Sequence, residues 1–151
     1  MDPEIAKYFS DIANLLEGGE VGADERPIIC SNALEESRGK EVELVTDYIL
    51  SHTMQTLLEG CDADHLCGFL RSCAKSFDRI ATDRSGSHVA ETALNSLVSH
   101  LHDQDLYNLI KDTLTLICQV VLLYMFLFLV AKLMLNKTFF NFVIVYFLPS
   151  C

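Results

Sequence analysis

Hydrophobic residues recur at helical spacing along the first 119 residues, and no sustained strand-like alternation interrupts them. Near the start, Asp2 is a favourable helix N-cap, Pro3 suits the first helical position, and Gly18-Gly19 ends the pattern. The apolar positions between them are Ile5, Tyr8, Phe9, Ile12, Leu15 and Leu16. The pattern predicts an amphipathic helix over residues 2–19 that packs against the next unit of the chain.

Further stretches of helical spacing follow, and turn-forming residues separate them. Gly39-Lys40 interrupts the pattern that begins at Glu25, and His102–Asp105 forms a later turn. The predicted helices cover residues 25–38, 41–59, 64–77 with a short continuation to 82, 86–101 and 106–117. An all-α body is therefore expected.

A repeat relates two of these stretches. The segment TDYILSHTMQTLL, residues 46–58, matches TDRSGSHVAETAL, residues 82–94, at an offset of 36 residues. Six of the 16 positions in residues 43–58 are identical to their counterparts. A period of about 20 to 50 residues is typical of solenoids, in which each unit buries its apolar face against its neighbours. The expected fold is an α-solenoid.

Each copy of the repeat places the same three polar groups on one side of a helix. These trios are Ser51, His52 and Gln55 in the first copy, and Ser87, His88 and Glu91 in the second. Residues four apart share a helical face, so the hydroxyl and the carboxylate or amide lie together, with the imidazole beside them. A Ser-His pair near a helix start is usually a capping feature, but its recurrence with the same third group favours an exposed binding patch.

The unit that contains DRSGSHVAETAL resembles a Pumilio (PUF) RNA-binding repeat, in which an Asp-x-x-Gly-x-x-Val-x-x-x-x-Leu pattern leads into the RNA-reading helix. The segments AKYFSDIANLLEG and CSNALEESRGKEVELVTDYILSHTMQTLLEGC are similar to the nucleolar branch of that family. The resemblance covers residues 1–119. It implies binding of single-stranded RNA, namely a ribosomal RNA precursor, by a nuclear and nucleolar protein of ribosomal RNA processing.

The resemblance also implies a role for each trio, since family repeats read one base with two edge-contacting side chains and one stacking side chain. Ser87 and Glu91 would contact the edge of a guanine, whose N1–H and amino group both donate to a carboxylate, and His88 would stack. In the first copy the residues Ser51 and Gln55, with His52 stacking, would favour adenine, because an amide offers both a donor and an acceptor.

The resemblance divides the chain into five segments. They are an N-terminal helix and acidic linker (1–22), a first repeat (23–61), a second repeat (62–101), a partial third repeat (102–119) and an apolar tail (120–151). The first repeat departs from the family pattern, because Leu50 stands where the second repeat has Gly86. Two complete repeats provide stacking sites for only a few bases. We therefore expect weakened RNA binding.

Charge and cysteine content narrow the function further. Residues 1–119 contain all 21 acidic residues and nine of the 11 basic ones, for a net charge of −12, which argues against a protein that tracks phosphates. Cys61, Cys67 and Cys73, with His65 nearby, do not have the spacing of a zinc site. Reduced thiols in a cytosolic or nuclear compartment are expected. Neither a metal nor another cofactor is predicted.

The repeat pattern stops near Gln119, and two interpretations of the following residues stay open. Residues 114–131 are apolar enough to contact or cross a membrane, with Lys132 and Lys137 on the cytoplasmic side. Alternatively, the tail is read-through from an intron, because its composition is that of T- and A-rich codons, and the chain is truncated in mid-repeat.

No catalytic motif such as a P-loop, G-x-S-x-G or H-E-x-x-H occurs, so an enzyme and a small-molecule substrate are not expected. Two alternatives to RNA binding remain at this point. One is a membrane-anchored helical adaptor, and the other is a HEAT- or armadillo-like scaffold that binds protein. The paired polar trios favour RNA over a scaffold.

Overall fold

Helices form the regular structure of residues 2–19 and 21–135, the part of the chain that this computed structural model describes; of residues 131–135 only the backbone is described. They are α1 (Pro3–Glu17), α2 (Arg26–Glu36), α3 (Glu41–Thr46), α4 (Leu50–Gly60), α5 (Ala63–Cys73), α6 (Phe77–Thr82), α7 (Gly86–Ser99) and α8 (Tyr107–Leu135), with a 3₁₀ turn (Ala74–Ser76) before α6. No strand occurs in this range, and the all-α prediction is confirmed.

The sequence repeat appears as two equivalent sets of helices. At the offset of 36 residues, α3 and α4 correspond to α6 and α7, and α2 and α5 precede these pairs. The side-chain hydrogen bonds also repeat: Thr46 donates to the Val42 carbonyl oxygen at 2.7 Å, and Thr82 donates to the Asp78 carbonyl oxygen at 2.8 Å. The solenoid prediction is confirmed down to these local contacts.

One predicted helix is divided in two. The pattern predicts a continuous helix over residues 41–59, but the structure ends α3 at Thr46 and begins α4 at Leu50. At Asp47 the backbone is extended, and the carboxylate accepts hydrogen bonds from the N–H groups of Ile49 and Leu50, both at 2.9 Å. An aspartate that binds nearby backbone N–H groups competes with the helix, so apolar spacing alone did not reveal the break.

The helices pack in two layers around one core. Helices α1, α4 and α7 lie side by side, and α2, α5 and α8 lie behind them, with α3 and α6 between. The largest fully buried side chains are Phe9, Leu44, Val45, Met54, Leu57, Leu58, Leu66, Leu70, Val89, Leu97, Ile110 and Thr113. Each of the large apolar ones contributes about 1.5–3 kcal/mol by leaving water. The apolar faces of the two repeats therefore form one continuous core.

Helix α8 begins inside this core and continues beyond it. Ile110 and Ile117 are buried, and Thr113 accepts a hydrogen bond from Arg71 Nε at 3.1 Å, whereas every side chain from Leu122 to Val130 is exposed. The predicted partial repeat and the start of the predicted tail thus form a single helix of 29 residues. The tail from residue 136 onward, including Lys137, lies outside the described residues.

Within the described range, one segment of α8 is long and apolar enough to cross a membrane. It covers Tyr107–Val130 (24 residues), within which an 18-residue stretch has a mean hydropathy of 2.4 and is 11% buried. Length and composition alone produce this match, and core helices of soluble proteins meet the same criterion. By itself the match does not decide between the two interpretations of the tail.

Candidate nucleic-acid interface

Two equivalent aspartates position the helices that carry the polar trios. Asp83 Oδ1 accepts hydrogen bonds from the N–H groups of Ser85 at 2.9 Å and Gly86 at 2.8 Å, as Asp47 does one unit earlier. A Cβ on Gly86 would lie 2.6 Å from the Ile80 carbonyl oxygen, so glycine permits this close approach. In both repeats the Thr-Asp pair therefore ends a short helix, and the aspartate fixes the start of the next helix through these hydrogen bonds.

A groove of about 180 Å³ lies between α4 and α7. It is lined by Tyr48, Ser51, His52, Gln55, Arg84, Ser85 and His88. The structure thus brings the complete first trio together with the imidazole of the second. We refer to this space as the inter-repeat groove.

The first trio is held by hydrogen bonds at the floor of the groove. Gln55 Nε2 donates to the Ser51 carbonyl oxygen at 3.3 Å, and Gln55 Oε1 accepts from the Thr92 hydroxyl at 3.3 Å. Ser51 is only 3% exposed and donates its hydroxyl hydrogen to the Tyr48 carbonyl oxygen, whereas His52 is exposed. The expectation that all three residues form one exposed patch is wrong for Ser51, whose side chain is buried and bonded to the backbone of the preceding turn.

The second trio is divided between the groove and the solvent. His88 is exposed and lines the inter-repeat groove. Ser87 is half-buried and donates to the Arg84 carbonyl oxygen at 3.2 Å, while Glu91 is exposed one turn further along α7. Ser87 and Glu91 do not line this groove. They lie on the side of α7 where the next unit of a longer solenoid would stack.

Three residues of the groove were not among the predicted site residues: Tyr48, Arg84 and Ser85. Tyr48 is 74% exposed and also lines a second groove of about 500 Å³ between α1 and α4, together with His52. The 36-residue offset relates Tyr48 to Arg84, so the repeat contained a signal for both. Because the two residues differ, a comparison of identical positions does not detect them.

The chemistry of the inter-repeat groove suits unpaired bases more than phosphates. Its lining contains two imidazoles, a phenol and a guanidinium, groups with flat faces on which a base can stack, together with an amide and hydroxyls for a base edge. Arg84 is the one formally charged residue in this lining. The surrounding body is acidic, so attraction to the RNA backbone contributes little.

None of the described cysteines, Cys30, Cys61, Cys67, Cys73 and Cys118, lines this groove. Burial raises the pKa of the Cys61 and Cys73 thiols to about 12, with a further contribution from nearby carboxylates. Among the described residues, no group of three or more His, Cys, Asp or Glu side chains could hold a metal ion.

Stacked helical units with a polar groove along one layer define a Pumilio-type repeat protein. The chain belongs to the NOP9-like PUF repeat domain family, whose model matches residues 39–119.

Known relatives agree with this assignment. Pumilio homolog 23 of Arabidopsis thaliana is 58% identical over 121 residues, which are 80% of this chain and 16% of the relative. Nucleolar protein 9 of Zygosaccharomyces rouxii is 33% identical over 95 residues, 62% of this chain and 14% of the relative. The structure of APUM23 with GGAAUUGACGG superposes with a TM-score of 0.78 at 58% identity, covering 80% of this chain and 23% of that one.

The chain therefore spans less than a fifth of the length of these curated relatives. The name of the second relative places that protein in the nucleolus, and neither name supports the membrane-anchored alternative.

Proposed function

We propose that this chain is a segment of a nucleolar RNA-binding solenoid that binds single-stranded RNA, a ribosomal RNA precursor, through the inter-repeat groove. The observation that carries the proposal is the groove itself, in which Ser51, His52 and Gln55 meet His88 across two stacked repeats. The groove opens between two imidazoles on successive repeats, where one base can insert. The oligonucleotide bound by APUM23, which shares the fold and 58% of the aligned sequence, supports the same class of ligand.

Each side chain has a role in this proposal. His52 and His88 stack on the two faces of one base, and Tyr48 and Arg84 extend that stacking surface at the rim. The Gln55 amide and the floor hydroxyl of Ser51 contact the edge of an adenine. Ser87 and Glu91 contact the edge of a guanine in the next position along the strand, where a further repeat would complete the site.

The proposal also covers the organisation and role of the whole chain. We infer that residues 23–61 and 62–101 act as RNA-binding units, that residues 1–22 cover the outer side of the first, and that residues 102–119 begin a third. Holding RNA by stacking and base-edge contacts involves no bond-making step, so the proposed function includes no catalytic residue, cofactor or small-molecule substrate. The nucleus and nucleolus are the proposed location, by similarity to the named relatives.

The direct test is RNA binding by the full chain, kept in solution with a non-ionic detergent because α8 exposes apolar side chains. Fluorescence anisotropy with GGAAUUGACGG compares the unchanged chain with a His52→Ala/His88→Ala variant. Loss of two stacking faces is expected to weaken binding by at least about tenfold, since stacking contributes about 1–3 kcal/mol per base.

The matched control is His102→Ala, which removes an exposed imidazole from a turn outside the groove. It is expected to bind like the unchanged chain. Equal binding by the double variant and the control, or no binding by any of them at high protein concentration, would contradict the proposed function.

A further inference from the structure

A third groove, which we call the outer groove, lies between α2, α3 and α5. It has a volume of about 240 Å³ and shares no residue with the inter-repeat groove. Among its lining residues are Glu35, Glu41, Asp64, His65, Gly68 and Phe69. Three carboxylates thus meet in a space that the proposed RNA-binding function does not use.

Glu41 is the unusual member of this groove. Glu41 is only 8% exposed. The 36-residue offset relates it to Phe77 of the second repeat, which is 6% exposed and belongs to the hydrophobic core. The first repeat therefore carries a carboxylate where the second carries a buried aromatic ring. A buried charge is costly unless another group pairs with it.

Within residues 2–19 and 21–130, the Glu41 carboxylate makes neither a hydrogen bond nor an ion pair. In the same range, every fully enclosed side-chain nitrogen or oxygen atom has a hydrogen-bond partner. The Glu41 oxygens are therefore not fully enclosed, and they open into the grooves that the residue lines. A ligand can reach this unpaired carboxylate from outside.

The two basic side chains in the lining of the outer groove, Arg38 and His65, already have partners other than Glu41. Arg38 Nη2 pairs with Glu35 Oε1 at 2.7 Å, and His65 Nδ1 lies 2.8 Å from the Asp62 carboxylate. Arg38 thereby partly neutralises Glu35, whereas among the described residues neither Glu41 nor the exposed Asp64 forms an ion pair. The remaining charge favours a positive group from another molecule.

The shape of the outer groove fits a long side chain. Gly68 lies in the middle of α5, and a Cβ there would meet nothing within 4 Å. A mid-helix glycine costs about 1 kcal/mol relative to alanine, so internal packing does not account for it. Its missing side chain keeps the groove open above Phe69 and Leu34, whose apolar surfaces suit the methylene stem of a basic residue.

We propose that the outer groove binds an arginine or lysine side chain from a basic segment of a partner protein, with Glu41 as the carboxylate that pairs with it. The apolar floor and the absence of a ligand cluster for a metal in the described range favour a basic side chain over a bare cation. This site is independent of RNA binding, and the partner would occupy the layer formed by α2 and α5.

The test uses NMR of the full isotope-labelled chain in non-ionic detergent. The probe is the capped peptide Gly-Gly-Arg-Gly-Gly, with a lysine version and a citrulline version in which the guanidinium is replaced by a neutral group of the same shape. The arginine and lysine peptides are expected to shift the amide signals of Glu41, Gly68 and Phe69 saturably, whereas citrulline has no such effect. The signals of His52 and His88 are expected not to move.

Two variants separate charge from shape. Glu41→Gln removes the charge and is expected to weaken peptide binding by at least about tenfold, as loss of one partner of a desolvated charge pair does. Gly68→Leu fills the groove without changing the charge and is expected to abolish binding, with Gly68→Ala as its smaller control. Thermal unfolding and RNA binding of each variant show that the fold and the inter-repeat groove are intact.

Three results would overturn the proposal: no saturable shift with either basic peptide, equal shifts with citrulline, or unchanged binding by Glu41→Gln. Each of these leaves RNA binding untouched, so failure here is distinguishable from failure of the proposed function.

Discussion

The Thr92 hydroxyl donates a hydrogen bond to Gln55 Oε1 at 3.3 Å and so joins the two copies of the repeat beneath the inter-repeat groove. Gln55 Nε2 also donates to the Ser51 carbonyl oxygen, which sets the orientation of the amide. One N–H and one lone pair of the amide remain for a base edge. The second repeat thus positions a base-contacting side chain of the first.

Replacing Thr92 with valine tests this link between the repeats. Thr92→Val keeps the shape but removes the donor, so the free energy of unfolding should fall by about 0.5–1.5 kcal/mol. The Gln55 amide becomes free to rotate, and selectivity for adenine in the groove should fall with it. Denaturant unfolding and competition binding measure the two effects.

The control for this change is Thr56→Val at the equivalent position of the first repeat. The Thr56 hydroxyl donates to the His52 carbonyl oxygen within α4 and does not link repeats. If both variants lose adenine selectivity equally, the positioning role of Thr92 is wrong.

Base preference at the second repeat should follow the third group of its trio. Glu91 is exposed on α7, and a carboxylate accepts from two donors of guanine, whereas an amide presents one donor and one acceptor. Glu91→Gln should therefore shift preference away from guanine toward adenine. Competition with single-base variants of GGAAUUGACGG measures this, and an unchanged order of preference would refute the assignment.

The two glycines of α5 and α7 should respond to alanine in opposite ways. Gly86→Ala places a Cβ 2.6 Å from the Ile80 carbonyl oxygen and should cost about 1–3 kcal/mol through a forced backbone shift. The Cβ of a Gly68→Ala variant would meet nothing within 4 Å. This change should therefore stabilise α5 by up to about 1 kcal/mol. Thermal unfolding of both variants gives the comparison. If the Gly86→Ala variant is as stable as the unchanged chain, the start of α7 can adopt the backbone geometry that the first repeat has at Leu50.

Thiol labelling should distinguish buried from exposed cysteines. Burial raises the pKa of Cys61 and Cys73 to about 12, so these thiols are protonated and shielded at neutral pH. Cys118 is exposed on α8. In a Cys151→Ser background, mass spectrometry after brief iodoacetamide treatment should find the label at Cys118. Rapid labelling of Cys61 in the folded chain would contradict the burial of this side chain at the end of α4.

Acid stability should depend on Asp62, the N-cap of α5. Burial alone would raise the pKa of this carboxyl, but hydrogen bonds from the His65 backbone and ring and from the Ser31 hydroxyl hold it below the ordinary 3.8. A lowered folded pKa stabilises the protein above the unfolded pKa, and this contribution is lost as pH falls through the folded value. Stability should therefore decline below about pH 4.

The measurement is chemical unfolding of the full chain across a series of acidic pH values. Asp62→Asn should flatten the decline, because the amide has no proton to gain. Asp64→Asn, an exposed carboxylate two residues later, is the matched control. The same slope for the Asp62 variant and the unchanged chain would show that this cap does not contribute.

Much of the architecture could be predicted from local sequence features. Asp2, Pro3 and the glycine pair correctly bounded α1, because capping hydrogen bonds form between residues that are close in the chain. The 36-residue repeat predicted the solenoid, because stacked units bury the same positions: Leu58 in the first repeat is buried, and its counterpart Leu94 in the second packs partly buried against the same core. The break at Asp47 was missed, since a side chain that interrupts a helix leaves the apolar spacing unchanged.

The sequence by itself determined the helices, the repeat, its polar trios and the family, all of which depend on residue type and spacing. Only the tertiary structure decided which polar groups meet. It buries Ser51, links Gln55 to Thr92, adds Tyr48 and Arg84 to the inter-repeat groove, and leaves the Glu41 carboxylate in the outer groove without a hydrogen-bond or ion-pair partner among the described residues. The physical reason is that burial and side-chain pairing depend on neighbours brought in by packing, about one repeat away along the chain.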